Sequence, residues 1–259
     1  MNIKNENETL KRRSKILELL ERVGDLSVNF LSSKFKVSEV TIRNDLAKLE
    51  EKGLLIRTRG GAIKKLPVTY DLSLNQRITK NLKEKQRIAK KALQYVKNGY
   101  TIVLDSGSTT LEIAKNLQGF KDLKIVTNSL AIADQVADYD GVEVVMPGGV
   151  LRPDMRSLIG PMAERNLLNY HCDIAFLGVD GLDADHGVFT PVLYEATLSR
   201  VMMEISSKVI VVADSSKFLR KSFVKIAPLH EIDVIITDKA IPEYQQNKME
   251  EMDIELVLV

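Results

Sequence analysis

Apolar and polar positions alternate with a helical period through the N-terminal part of the chain. In KRRSKILELLERVG, Ile16, Leu17, Leu19, Leu20 and Val23 form an apolar stripe that Gly24 closes. In SVNFLSSKF, Phe30, Leu31 and Phe35 are expected to face inward, with Ser27 as the cap. In VSEVTIRNDLAKLEEKGLL, Ile42, Leu46 and Leu49 recur at helical spacing, leaving Thr41, Arg43, Asn44 and Lys48 for solvent or a partner. Ser38 is placed to accept from a free N–H of the first turn, and Gly53 to close the helix in the left-handed conformation. Only Lys36, Val37 and Ser38 separate the second and third helices, a connection as short as a helix-turn-helix requires. LLIRTRGGAIKK then reads as two extended pieces around Gly60 and Gly61, a hairpin or wing carrying Arg57, Arg59, Lys64 and Lys65.

The period changes after that wing. Residues 66–80 open with Pro67, lack a clear apolar period and read as a linker. A helix is expected from about Leu82 to Val96, stopped by Gly99. The apolar runs TIVLD, LKIVT, VEVVM, DIAFLG, KVIVVAD, DVIITD and IELVLV follow, separated by helical stretches such as LEIAKNL, LAIADQVAD and PMAERNLLNY. Continuous apolar runs indicate buried parallel strands, hence an α/β sheet covered on both faces.

Small, polar or glycine residues follow these runs: Ser106 to Thr110, Asn128 and Ser129, Gly148 and Gly149, Asp180 and Gly181, Ser215 to Lys217. Open α/β sheets bind ligands at the carboxyl ends of their strands, so a pocket is expected there. DSGSTT, Asp105 to Thr110, is the sharpest piece: glycine allows close backbone approach, hydroxyls donate, and a helix starting near Thr110 or Leu111 aims its N–H groups at the loop. Phosphate matches that chemistry; the alternative is that Ser and Thr simply cap a helix after a tight turn. Lys217 and Arg152 either add a charge for a phosphate or are solvated. Asp105, Asp180 and Glu195 either accept from sugar hydroxyls or serve caps and turns. Neither GxxxxGK[ST] nor GxGxxG is present, which argues against nucleoside triphosphate and dinucleotide binding, and no cofactor is expected.

Charge separates the two parts. Residues 1–65 carry 15 Lys+Arg against 9 Asp+Glu, a surplus of +6, and the remainder 22 against 26, or −4. Positive charge concentrated on a helix-turn-helix suits phosphate neutralisation, although Lys11, Arg12, Arg13 and Lys15 could instead solvate a helix face. One cysteine, Cys172, allows no internal disulfide and fits a reducing compartment. His171, His186 and His230 are isolated in sequence, so no metal site is expected. No apolar run approaches the roughly 18 to 20 residues of a membrane span, and MNIKNENE lacks a signal-peptide core, so a cytoplasmic location is expected.

Residues from about Leu10 to Ala62, with VSEVTIRNDLAKLEEKGLLIRTRGGA, resemble the winged helix-turn-helix of the DeoR family of transcription regulators. DSGSTT, TNS, PGG, LGVDG, Glu195 and ADSSKF stand in the order of that family's C-terminal sensor domain, which is similar in fold to ribose-5-phosphate isomerase. The likeness is greatest to the branch that controls N-acetylgalactosamine and related amino sugars. The family commonly has two adjacent arginines on the recognition helix; here Asn44 follows Arg43, and an amide at that place can read adenine.

The resemblance implies a winged helix-turn-helix over 1–65, a linker over 66–80, and a sugar-phosphate-binding and oligomerisation domain over 81–259. It implies Ser38, Thr41, Arg43, Asn44, Lys48, Arg57, Arg59, Gly60 and Gly61 as DNA contacts. The implied effector residues are Asp105 to Thr110, Asn128, Gly148, Gly149, Asp180, Gly181, Glu195 and Lys217, to which the reading of the residues adds Arg152. The expected partners are double-stranded operator DNA, a phosphorylated sugar and further copies of the chain, as a homodimer or homotetramer; the expected function is repression of a carbohydrate-utilisation operon. The rival is a sugar-phosphate isomerase or deaminase on the same fold, with Asp105, Asp180 or Glu195 as base and Lys217 as cation. A complete DNA-binding unit has no use in a free metabolic enzyme, so no catalytic activity is expected.

Overall fold

The computed structural model describes residues 3–23, 25–58, 60–64, 72–252 and 254–259, and the chain divides into two units, Met1–Pro67 and Val68–Val259. The N-terminal unit comprises α1 (Ile3–Val23), β1 (Asp25–Ser27), α2 (Val28–Phe35), α3 (Glu39–Glu51), β2 (Leu55–Thr58) and β3 (Gly61–Lys64). Ile16, Leu20, Leu31, Ile42, Leu46, Leu49 and Leu55 are buried together as its core. Ser27 accepts from the Phe30 N–H at 3.1 Å and Ser38 from the Thr41 N–H at 3.2 Å, so both helix starts are capped as expected. Gly53 adopts φ +67° just after α3.

Three expectations for this unit change. Val23 is 62% exposed, because it stands in the last turn of α1, beyond the stripe that packs. Phe30 is also exposed; it lies on the outer side of α2, where the Lys34 ammonium stands 5.5 Å from its ring centre. The wing has a third strand, since β1 pairs antiparallel with β3, giving the order β1-β3-β2. Gly61 follows from that pairing: a Cβ there would stand 1.9 Å from the Leu26 carbonyl oxygen. Gly24, Arg59, Lys65 and Pro67 lie outside the described residues.

The C-terminal unit begins, among the described residues, with α4 (Leu74–Thr79) and α5 (Leu82–Ala92). The linker expected over 66–80 is therefore partly helical. Its signal was a capping box, in which Ser73 accepts from the Gln76 N–H while the Gln76 side chain accepts from the Ser73 N–H. There follow β4 (Thr101–Leu104), α6 (Ser108–Ala114), β5 (Leu123–Thr127), α7 (Leu130–Val136), β6 (Val142–Val145), β7 (Val150–Arg152), β8 (Ser157–Ile159) and α8 (Pro161–Leu167). The chain continues with β9 (Ile174–Leu177), β10 (Gly181–Asp183), β11 (Gly187–Thr190), α9 (Leu193–Glu204), β12 (Val209–Val212), β13 (Val224–Ala227), β14 (Val234–Thr237), α10 (Glu243–Glu250) and β15 (Glu255–Leu258).

Among the described residues, seven strands form one parallel sheet in the order β15-β14-β12-β9-β4-β5-β6. They coincide with the seven apolar runs. One buried cluster contains Val103, Ala175 and Val211 and another Ile102, Phe176 and Ile210, so neighbouring residues of one strand pack into different cores and the sheet is covered on both faces. The order runs from β4 through β5 to β6 on one side and from β9 outward on the other. The topological switch point thus lies between β4 and β9, where open α/β sheets leave a crevice. A hairpin, β7-β8, and a small antiparallel sheet, β10-β11-β13, are added to this frame.

Candidate nucleic-acid interface and candidate ligand site

On α3, Arg43, Asn44 and Lys48 are exposed and Thr41 is half-buried, while Ile42, Asp45, Leu46 and Leu49 turn into the unit. Three exposed cations have a neighbouring carboxylate: Arg43 lies 2.8 Å from Glu39, Lys48 2.8 Å from Glu51, and Arg57 3.9 Å from Glu50. Exposed pairs of this kind are worth about 0–1 kcal/mol, so an incoming phosphate or base edge can displace them. The Ser38 hydroxyl is 2.9 Å from that of Thr41 as well as capping the helix. Gly60 is exposed, whereas Gly61 is buried against β1, which gives it a structural reason independent of any contact.

Asp45 was missed by periodicity, which shows only a polar residue between apolar ones. It is 2% exposed and takes Arg12 Nε at 2.5 Å and Arg13 Nε at 2.8 Å. These partly exposed arginines are paired with Asp45 rather than merely solvating a helix face, and they clamp α1 to α3.

In the second unit the crevice is lined by the loop after β4. The helix expected near Thr110 begins earlier, at Ser108, with Gly107 as its N-cap residue. The Thr110 hydroxyl is consequently spent on backbone, donating to the Asp105 carbonyl at 2.6 Å and the Gly107 carbonyl at 3.0 Å. Ser108 and Thr109 are nearly buried in the first turn. Asn128, at the end of β5, directs its Nδ2 to the Leu158 carbonyl at 3.1 Å and lies 3.5 Å from the Ser106 hydroxyl. Its Oδ1 is buried and accepts nothing. A buried acceptor without a donor is expensive unless something fills it.

Asp105 is 8% exposed and accepts from the Ser106 N–H at 2.6 Å. Burial pushes its carboxyl up to about 8, Glu195 and Asp180 push the same way, and the N–H groups of Ser106 and Gly178 oppose them. At neutral pH the group is mostly protonated and can donate as well as accept. Asp180 accepts Arg77 at 2.8 Å and Lys217 at 3.4 Å. Burial alone would raise it, yet Lys217 and then Arg77 hold it below the usual carboxylate range. Glu195 pairs with Arg152, and the Thr190 hydroxyl, 2.8 Å from Glu195 and 3.5 Å from Asp180, bridges the two carboxylates.

The cations share one network. Burial lowers Lys217, with Asp180 opposing and Arg77 adding to the fall. Lys85 is 3% exposed and donates to the carbonyls of Arg77 and Lys80; burial brings it down to about 8 against the pull of Asp214. Asp214 in turn accepts from Asn81 at 2.8 Å. Arg77, Asn81 and Lys85 were not legible as site residues because they lie on elements distant in sequence from the polar loops; Thr190 and Asp214 stand close to those loops, but nothing in the sequence shows which charges they meet.

Asp105, Ser106, Asn128, Asp180, Glu195, Arg152 and Lys217 are therefore joined by contact or electrostatics. Gly148 and Gly149 belong to a different surrounding, against α8. At Gly149, with φ +116°, a Cβ would stand 2.7 Å from the Ile159 carbonyl oxygen. Gly181 sits close to the Arg220 backbone. His186, isolated in sequence, lies 2.6 Å from Asp183, and with Asp185 these ligand atoms fall within 4.8 Å of one another. Lys248 is paired with Asp185 and already supplies a positive charge there. No helix among the described residues is long and apolar enough to cross a membrane.

Residues 12–65 match the family described as the DeoR-like helix-turn-helix domain, and residues 80–239 the one described as the DeoR C terminal sensor domain. The chain is 40% identical over 253 residues to a putative aga operon transcriptional repressor of Escherichia coli O157:H7, covering 97% of this chain and 94% of that protein. It is 36% identical over 247 residues to the HTH-type transcriptional regulator GlpR of Haloferax volcanii, covering 95% and 96%. Over 250 residues it is also 36% identical to the transcriptional repressor AccR of Agrobacterium fabrum, covering 93% and 97%. Among solved structures, ribose 5-phosphate isomerase A of Methanocaldococcus jannaschii aligns with a TM-score of 0.40 and 20% identity over 54% of this chain and 55% of that one.

Proposed function

The chain belongs to the DeoR family of transcription regulators, and on that premise we propose that it represses a carbohydrate-utilisation operon under the control of a phosphorylated sugar. The observation that carries the ligand assignment is a convergence of cations at the switch-point crevice. Arg77 and Lys217 both reach Asp180, Arg152 reaches Glu195, and Lys85 and Arg220 lie within electrostatic range of Lys217 and its partners. A phosphate monoester, which carries about −1.5 to −2 charge at pH 7, is the ligand that such a cluster of cations suits. Protonated Asp105, the Asn128 Oδ1 and the carboxylates offer the mixed donors and acceptors that sugar hydroxyls need.

In this reading Thr41, Arg43, Asn44 and Lys48 enter the major groove. Ser38 and the wing, with Arg57, Arg59 and the Gly60–Gly61 backbone, hold phosphates. Residues 1–65 bind DNA, and 81–259 bind the effector and pair the subunits, because one head of this size binds operator weakly. The likeness of the sequence to the amino-sugar branch of the family directs the choice of ligands to amino-sugar and tagatose phosphates.

A thermal-shift panel tests the assignment. N-acetylgalactosamine 6-phosphate and tagatose phosphates are compared with the unphosphorylated sugars. A native-state ligand at a hundredfold excess over Kd stabilises by about 2.7 kcal/mol. A shift produced only by unphosphorylated sugars would remove the phosphate from the proposal. Arg43→Ala is expected to weaken operator binding strongly and to leave the ligand shift intact.

A further inference from the structure

The chain enters the C-terminal unit through residues 72–85, and loops bordering the crevice hold that segment in place. Arg77 Nη1 is 2.8 Å from Asp180, and its Nε donates to the Leu72 carbonyl at 2.8 Å. The Leu74 N–H donates to the Asp154 carbonyl at 2.9 Å, on the β7-β8 turn. Asn81, left-handed at φ +50° between α4 and α5, reaches Asp214 at 2.8 Å and Ser216 at 3.3 Å. With only six residues, α4 is too short to be stable without such contacts.

Arg77 and Lys217 share one internal anion, Asp180. A ligand phosphate offers the same groups more charge and a geometry that suits the guanidinium fork. Lys217 is fixed within a tight turn whose first N–H groups are held by Asp214 and Asp238, whereas Arg77 rides on α4. Resting on the sugar-phosphate reading of this site, we propose that Arg77 is the positioning residue that reports its occupancy. Asp180 holds it in the ligand-free chain and it transfers to the ligand phosphate, shifting α4 and the chain that leads back to the N-terminal unit.

The test is a double-mutant cycle on operator affinity, using the full chain without ligand and a duplex selected by the wild type from a random-sequence pool. Arg77→Gln and Asp180→Asn are each expected to change affinity by about fivefold or more in the same direction, the lower end of common allosteric couplings. The double variant is expected to change affinity by less than the product of the two single effects, since both break the Arg77–Asp180 contact, while Asp180→Asn also releases Lys217. A second arm measures the ligand response with the same sugar-phosphate panel: Arg77→Gln keeps a thermal shift through Lys217 and Arg152, but its operator affinity no longer responds. Unchanged affinity in Arg77→Gln, additive single effects, or a retained response overturns the proposal. If no sugar phosphate shifts the wild type, the site reading fails while the ligand-free cycle still decides on Arg77. Should Arg77→Gln fold poorly, Arg77→Lys, which keeps the charge and loses the fork, carries the same comparison.

Discussion

Asp45→Ala is predicted to destabilise the N-terminal unit selectively. The carboxylate is 2% exposed and joins Arg12 and Arg13, whose side chains are 15% and 22% exposed. Hydrogen bonds to charged groups contribute about 1.5–3 kcal/mol each, and removing one partner of a fully buried pair costs about 3–5 kcal/mol. Because the freed guanidinium groups can turn toward water, the net loss is discounted to about 2–4 kcal/mol. A unit of this size is stable by only about 3–10 kcal/mol, so the change removes a large share of it. Urea unfolding of the full chain followed by circular dichroism should show the transition of the helix-turn-helix unit moving down, with the other transition and its ligand shift unmoved. Asp45→Asn, which keeps an acceptor and loses the charge, should fall between. A change below about 0.5 kcal/mol, the level of an ordinary surface substitution, would refute the clamp.

Three further substitutions test Asp105 and the wing glycines. For Asp105 the folded-state pKa, about 8, stands above the unfolded one, so its contribution is fully present below the ordinary value of 3.8 and is lost as pH rises toward 8. Wild-type stability should therefore carry a component falling by up to about 1.4 kcal/mol per pH unit across that window; Asp105→Asn should flatten it in a denaturation series, and an unchanged slope would count against a protonated Asp105. Gly61→Ala places a methyl 1.9 Å from the Leu26 carbonyl oxygen and is expected to cost about 1–3 kcal/mol, whereas Gly60→Ala meets nothing within 4 Å and should be close to neutral.

The seven sheet strands were legible because a parallel strand covered on both faces must be apolar at successive positions, and TIVLD or KVIVVAD have no other economical use. Gly181–Asp183, Gly187–Thr190 and Asp25–Ser27 left no such trace. Each is three or four residues long, and Asp25–Ser27 and Gly187–Thr190 pair with strands far along the chain. The polar loops at the strand ends were legible as loops, but not what they contact. Thr110 looked like a phosphate donor and serves the backbone; Arg77 sat in a stretch read as linker and meets Asp180 across a hundred residues of sequence. Periodicity reports which face is buried. It carries no information about which charge meets which.

That distinction bears on the surplus of +6 in the first 65 residues. Two of its charges, Arg12 and Arg13, are committed to Asp45. Arg43, Lys48 and Arg57 are 54%, 56% and 40% exposed, with partners weak enough to leave. Each cation that neutralises a DNA phosphate lowers the slope of log K against log salt by about 0.9. Arg57→Gln should thus make the slope shallower by about 0.9 for each head bound, with weaker binding at low salt. Arg12→Gln should leave the slope unchanged and appear instead as a lower unfolding midpoint of the N-terminal unit. The two variants remove the same formal charge from the same basic unit, so a count of charges predicts identical salt curves, and the observed contacts predict different ones. An equal loss of slope in both would mean that Arg12 leaves Asp45 when DNA arrives.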